Sequence, residues 1–264
     1  MSKKKITRVE GGEVTPAAQA KTFVPTAEAK GRATNLRVYA GLLWLLAIVA
    51  QVGAIWFVLK QPENFMMWTI ILIVVDLIFA IIGSSLWKKS NRLDPASREN
   101  GFMFFMQSQL GLVTAVVAFL PLVVVILTNK NLEGKQKAIL GGVAGLALVI
   151  AGITGTDFNP PSVEEYTEQT NRIEELTGVN HVYWTKSGSK YHVYDDCHTI
   201  NRDVTTEIFE GTVAQARELK NITELCKICE NRAEREKAGA LQESVELDGE
   251  DVLEEGVSTD GGMQ

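Results

Sequence analysis

All three cysteines of this 264-residue chain fall in one short polar region, beside a histidine. "KYHVYDDCHTIN" (residues 190–201) holds His192 and Cys197, and "LCKIC" (225–229) holds Cys226 and Cys229. Thiolate and imidazole are the donors that a tetrahedral structural zinc site takes. The order H-x4-C-x28-C-x2-C supplies two ligand pairs, each on its own turn, with a small stretch of fold between them. C-x2-C lets one tight turn aim two sulfurs at a single ion. His198, adjacent to Cys197, is a rival for the imidazole position, and His181 reads as a plain surface residue.

Other chemistries fit these residues less well. A redox C-x-x-C sits at the start of a helix after a strand in a thioredoxin-like fold, and too little chain is present here to build one. A Cys226–Cys229 disulfide would leave Cys197 unexplained, whereas a Cys3His site uses every thiol. His192 and Cys197 could serve as base and nucleophile, but not while they hold a metal. The chain has no G-x-S-x-G, no H-E-x-x-H and no phosphate-binding glycine loop,. An enzyme is not expected.

Around the ligands, "HVYWT" and "YHVY" read as a hairpin closed by "KSGS", from their Val, Tyr, Trp and Thr content,. "TVAQAREL" is a short helix that Thr212 can cap, and "ENRAEREKAGALQ" is a second helix after the C-x2-C knuckle,. Residues 179–235 form a small module with little aliphatic content, so zinc would supply folding energy that its core lacks,. Tyr183 and Trp184 are its expected core.

The pattern "VYWTKSGSKYHVYDDC…GTVAQA…LCKIC", over residues 182–229, resembles a small bacterial metal-binding module. Such modules end secreted nucleases or membrane proteins. The ligand spacing is also similar to the zinc domain of Ada-type DNA repair proteins. The resemblance implies that His192, Cys197, Cys226 and Cys229 are the ligands. The Ada-type domain uses four cysteines, one of them a methyl acceptor. Here a histidine takes one place, so repair activity is not implied.

The module follows a chain of different character. Four apolar runs lie at about 36–59, 66–87, 106–128 and 138–155. A bilayer-spanning helix needs roughly 20 apolar residues, so these read as transmembrane helices. The first run starts too late and is too long for a signal peptide. Residues 1–35 read as a flexible basic arm. Residues 156–178 read as a linker broken by Pro160 and Pro161 and then a polar helix, with Ser162 and Glu165 as its capping box and Gly178 as its stop,. Residues 236–264 read as a helix end and an acidic disordered tail. The expected fold is therefore an all-α four-helix transmembrane bundle followed by a small α+β zinc module of hairpin, helix, C-x2-C knuckle and helix.

Charge is divided unevenly. The overall net charge of −6 combines +8 for residues 1–155 with −14 for residues 156–264. The acidic half argues against binding a phosphate backbone. Lys and Arg in the arm and in "KKSNRLDPASREN" (88–100) put both on the cytoplasmic side by the positive-inside rule,. Four spans then return the module to the cytoplasm. Lys130, Lys135 and Lys137 on the outer side run against this orientation.

Inside the second run, Asp76 marks a possible polar site, with Gln51, Thr114, Ser108 and Gln109 able to face it,. With one acid and no basic partner in the spans, interhelical hydrogen bonding is the expected role of these residues, and a cation or proton site is the alternative. Gly141 and Gly145 form G-x-x-x-G, which would permit close helix packing, and Pro121 is expected to kink the third run. The reading is of a bacterial multi-pass membrane protein without enzymatic activity, presenting a zinc-stapled interaction or sensing module. Its partners would be the bilayer, an unidentified protein and a further copy of the chain. The alternatives are a small transporter or channel subunit built on Asp76, and a nuclease-associated or thiol-redox activity in the tail.

Overall fold

The computed structural model describes residues 5–9, 22–220 and 222–255. The chain forms two compact units, Thr22–Tyr166 on one hand and Met1–Lys21 with Thr167–Gln264 on the other.

The first unit is built on four helices, α1 (Ala27–Lys60), α2 (Phe65–Leu93), α3 (Gly101–Thr128) and α4 (Gly134–Gly155), each long and apolar enough to cross a membrane. They extend past the apolar runs because hydrogen-bonding caps set helix ends, whereas apolar runs mark only the part that shuns water. Thr26 caps α1 by accepting from the Ala29 N–H, and Asn100 caps α3 by accepting from that of Met103. Glu133 and Gln136 form a reciprocal capping box at α4. Residues 27–35, expected in a flexible arm, are thus the first turns of α1. The core between the helices centres on Val58, Ile73, Phe119, Leu122, Ile126 and Leu140.

Two contacts set how closely the helices approach. A Cβ on Gly111 of α3 would lie 2.7 Å from the Gly155 carbonyl oxygen of α4, and one on Gly83 of α2 would lie 2.6 Å from Trp44 Nε1 of α1. The expected G-x-x-x-G contact does not form. Gly141 faces only the side chains of Leu127 and Ile126, and Gly145 has nothing within 4 Å. Inside α3, which also carries Pro121, backbone dihedrals depart from helical values at Gln109, with φ −107° and ψ 15°. Its amide pairs with the backbone of Asp157, donating to the carbonyl at 2.8 Å and accepting from the N–H at 3.1 Å. The Gln107 carbonyl accepts from Trp87 Nε1 and Asn91 Nδ2 of α2. Side-chain amides and an indole thus compete with the helix's own ladder at this point.

Helix α5 (Val163–Thr177) begins with Ser162 Oγ accepting from the Glu165 N–H. In its first turn, Glu164 accepts from Ser97 Oγ at 2.5 Å and from the Arg98 N–H at 2.9 Å. Burial opposes its charge. The Ser97 and Arg98 donors outweigh that and hold the carboxyl down at about 2. The Tyr166 hydroxyl donates to the Arg92 carbonyl.

The second unit holds a three-stranded sheet in the order β1 (Lys5–Arg8), β4 (Glu207–Gly211), β2 (Val182–Thr185), and a two-stranded pair of β3 (Lys190–Tyr191) with β5 (Glu224–Leu225). Helices α6 (Val213–Lys220) and α7 (Lys227–Glu255) complete it, together with α5 from Thr167 onward. The core is Trp184, Tyr191, Val182, Val213, Ile173 and Ile222, with Phe209 stacked on Trp184. Gly178 ends α5 at φ +76°, a left-handed conformation that glycine adopts without strain. Thr212 and Gln215 cap α6 reciprocally.

Three expectations for this unit change. The hairpin between "HVYWT" and "YHVY" reduces to a single antiparallel bridge, Tyr183 with His192, because the main partner of β2 is β4 and that of β3 is β5. Part of the supposed flexible arm, Lys5–Arg8, is a strand parallel to β4. Residues 1–4 and 10–21 of that arm lie outside the described residues. The acidic end is helical through Glu255, and 256–264 lie outside the described residues. Glu, Leu, Ala and Gln are strong helix formers, and this outweighs the charge density there.

Two outcomes follow for the bundle. Gly111→Ala should destabilise the detergent-solubilised protein by about 1–3 kcal/mol through overpacking, while Gly145→Ala should be neutral or slightly stabilising. Thermal unfolding of both variants checks this. Because Glu164 has a depressed pKa, its stabilisation is present above the ordinary carboxylate range and is lost as pH falls through about 2,. Amide exchange over 94–100 should therefore speed up in Glu164→Gln at neutral pH, and the variant and the parent should converge towards pH 2.

Candidate metal centre

The two ligand pairs meet through the β3–β5 pair. Its parallel register sets Lys190 beside Glu224 and Tyr191 beside Leu225. The next residue on each strand is a ligand-type residue, His192 on one and Cys226 on the other. The Cys226 N–H donates to the Tyr191 carbonyl at 2.9 Å, and Lys190 forms an ion pair with Glu224 at 2.9 Å. On its other side the His192 backbone is held by Tyr183 through two hydrogen bonds, at 2.6 and 2.7 Å. His192 is therefore bracketed between two strands before any metal is considered.

Cys197 is placed by turns. Its N–H reaches the Tyr194 carbonyl, and its own carbonyl accepts from Ile200 and Asn201. Cys226 immediately precedes α7 and Cys229 lies in that helix's first turn. Arg232, one turn further along α7, reaches back over this loop. Its guanidinium lies 4.0 Å from the Tyr194 ring centroid and 2.8 Å from Asp196 Oδ1. Glu236 accepts from both Arg232 and the Tyr194 hydroxyl. These contacts tie the Cys197 loop to the helix bearing Cys229. Nothing in the sequence pointed to Arg232 except its place one turn beyond Cys229.

The result is a compact donor set. His192, Cys197, Cys226 and Cys229 are all buried, and one ligand atom from each lies within 4.8 Å of the other three. Cys229 Sγ is 3.5 Å from His192 Nδ1. For zinc–sulfur and zinc–nitrogen bonds of ordinary length, a tetrahedron has S–N edges of about 3.6 Å and S–S edges of about 3.8 Å. Three thiols and one imidazole at this spacing fit such an ion. Thr199, which sequence reasoning missed, stands among them, with its Oγ1 3.1 Å from Cys197 Sγ and 3.4 Å from His192 Nδ1. The rival His198 is exposed and outside the group.

Electrostatics prepares the ligands unequally. Burial lowers His192 to about 4, with Lys190 adding to the effect, so the imidazole is neutral and able to ligate. At Cys226 burial opposes the thiolate, but the N–H groups of Cys229 and Ile228 outweigh it and hold the thiol below its ordinary value. These are the first amides of α7, and a helix N-terminus favours negative charge. Burial, with Cys197 alongside, pushes Cys229 up to about 12. All three cysteines are free thiols. The C-x-x-C does sit between a strand, β5, and a helix, α7, the place that a redox pair also takes,. The third thiol and the imidazole distinguish this site from a redox dithiol.

In the other unit, neither carboxylate oxygen of Asp76 has a hydrogen-bond partner among the described residues. Asp76 and Gln51 are buried. Thr114 instead donates to Leu110 of its own helix at 2.8 Å, Ser108 donates to Phe105, and Gln109 is engaged with Asp157.

In metal-stripped protein, Cys226 should be alkylated faster than Cys229 near neutral pH, since the thiolate is the reacting form. Mass-spectrometric mapping after brief exposure to iodoacetamide reads this order.

Compared with known proteins, the chain matches no family model, no curated protein and no solved structure.

Proposed function

We propose that this chain is a non-enzymatic integral membrane protein that presents a small zinc-stapled interaction or sensing module. The observation that carries the reading is the convergence of His192, Cys197, Cys226 and Cys229 into one buried group. A thiolate-rich set of four protein donors suits zinc over the oxygen-seeking cations. Four protein ligands also leave no open position for substrate, which is the mark of a structural site. Zinc would act here as a staple, holding the Cys197 loop, β3 and the start of α7 together.

The bilayer is the partner for the first unit. Its four helices expose Leu45, Val49, Val74, Val117, Leu120 and Leu146 on their outer faces, and apolar surface of that extent needs lipid. The parallel pairing of β1 with β4 joins residues 5–8 and 207–210 in one sheet. This supports both ends of the chain lying on one side of the membrane, which an even number of spans provides. The basic residues of 1–37 and 88–98 favour the cytoplasmic side,. We place the protein in a bacterial cell membrane with its module cytoplasmic. The recognised partner is another protein or a second copy, since the acidic half disfavours nucleic acid.

Elemental analysis of the full chain, purified without chelator, should find one zinc per chain. Cys226→Ser and His192→Ala should lose it or bind it at least tenfold more weakly, while His198→Ala should retain it. Absence of metal from the parent protein would reject the reading.

A further inference from the structure

The buried face of α2 carries polar groups where a bundle core ordinarily has apolar ones. Asp76 is 0 % exposed, and Gln51 of α1 is 5 % exposed. Neither carboxylate oxygen of Asp76 has a hydrogen-bond partner among the described residues, and Gln51 Nε2 and Thr69 Oγ1 also lack one. Other hydroxyls of the bundle are satisfied within their own helices, as in Ser85 to Ile81, Thr114 to Leu110 and Thr154 to Ile150. Asp76, Thr69 and Gln51 belong to the two helices that pack on one another as α1 and α2.

The register of that interface puts Asp76 and Gln51 together. The two helices run antiparallel, with Gly53 packed on Leu72 and Gly83 packed on Trp44. Between these points, Gln51 stands within about one helical turn of Asp76 along the axis, at a rise of about 1.5 Å per residue. The core alongside is apolar, with Ala54, Ile73, Ala80, Ala118 and Phe119. Residues 38–59, 61–87, 99–129 and 138–155 contain no Lys or Arg. No basic side chain of the spans can neutralise the carboxylate. A buried carboxylate without a partner is costly unless something positive joins it.

We propose that Asp76, with Gln51, forms an exchangeable binding site for a monovalent cation, a proton or a sodium ion, inside the four-helix bundle. Asp76 supplies the single negative charge, and the Gln51 side chain can turn its carbonyl oxygen towards the ion. One carboxylate and one amide match a single positive charge, whereas divalent cations gather several carboxylates and more oxygens. The site shares no residue with the His/Cys3 group and does not depend on zinc being bound there.

Infrared difference spectra of the full chain reconstituted in liposomes test this, recorded from about pH 5 to about pH 9 in sodium chloride and in choline chloride. The expected result is a protonated-carboxyl carbonyl band that is absent from Asp76→Asn, shifted in Asp76→Glu, and lost reversibly. Loss on raising pH in both salts identifies the ion as a proton. Loss on adding sodium at fixed pH identifies it as sodium. Gln51→Leu should move the midpoint of that loss by about tenfold in cation concentration, and an unmoved midpoint removes Gln51 from the site. A band that persists unchanged through every pH and both salts marks a permanently neutral, structural Asp76 and overturns the proposal. So does the absence of any Asp76-dependent band under all conditions.

Discussion

One hydrogen bond organises the candidate metal centre, that from the Cys226 N–H to the Tyr191 carbonyl. It extends the two-residue β3–β5 pair by one step and brings His192 beside Cys226, although 33 residues separate them in sequence. Two-residue strands are weak by themselves. They hold here because Tyr191 is buried in the core with Trp184 and Val213, and because Tyr183 grips the His192 backbone from the other side. The donor group is thus a by-product of strand register. A slip of one residue would turn His192 to the opposite face.

That arrangement suits the cluster to a cation. Cys197, Cys226 and Cys229 share a small apolar cluster with Ile200 and Ile208, and burying several thiolates together is unfavourable. The neutral His192 and the amide-supported Cys226 are ready to ligate, while Cys229 holds its proton tightly. A bound metal reverses the balance by replacing the thiol protons. The fold supplies proximity, and the ion would supply the charge.

In the other unit, packing rather than polarity decides the geometry. α3 and α4 touch backbone to backbone at Gly111 and Gly155, and α1 meets α2 where the Trp44 ring covers Gly83. Close approach between apolar helices is a matter of van der Waals contact, so the smallest residues sit where the axes come nearest. The Gln109 irregularity follows from its amide pairing with the backbone at Asp157, just past the end of α4. Trp87, Asn91 and Gln109 at this end of the bundle bond to backbone groups. Asp76 and Gln51 deeper in the bundle are not, and this difference separates structural polarity from a candidate site.

The sequence by itself determined the composition-driven features. Runs of apolar residues predict helices, Thr212, Ser162 and Gly178 predict element ends, and the pairing of H-x4-C with C-x2-C predicts which side chains share a turn. These are local properties, carried by residues a few positions apart. Tertiary structure alone decided what depends on distant partners. Nothing near Lys5–Arg8 signals that it pairs with Glu207–Glu210, and the hairpin signal in "HVYWT" could not reveal that β2 takes β4 as its main partner. Spacing left His192 and His198 both open, and only the register of β3 with β5 brings His192 beside Cys226 while His198 stays exposed. Likewise every glycine in the apolar runs is equally able to admit a neighbour. Only the crossing of the helices determines that Gly111 and Gly155 do so and Gly145 does not, because contact is a property of two surfaces and a sequence describes them one at a time.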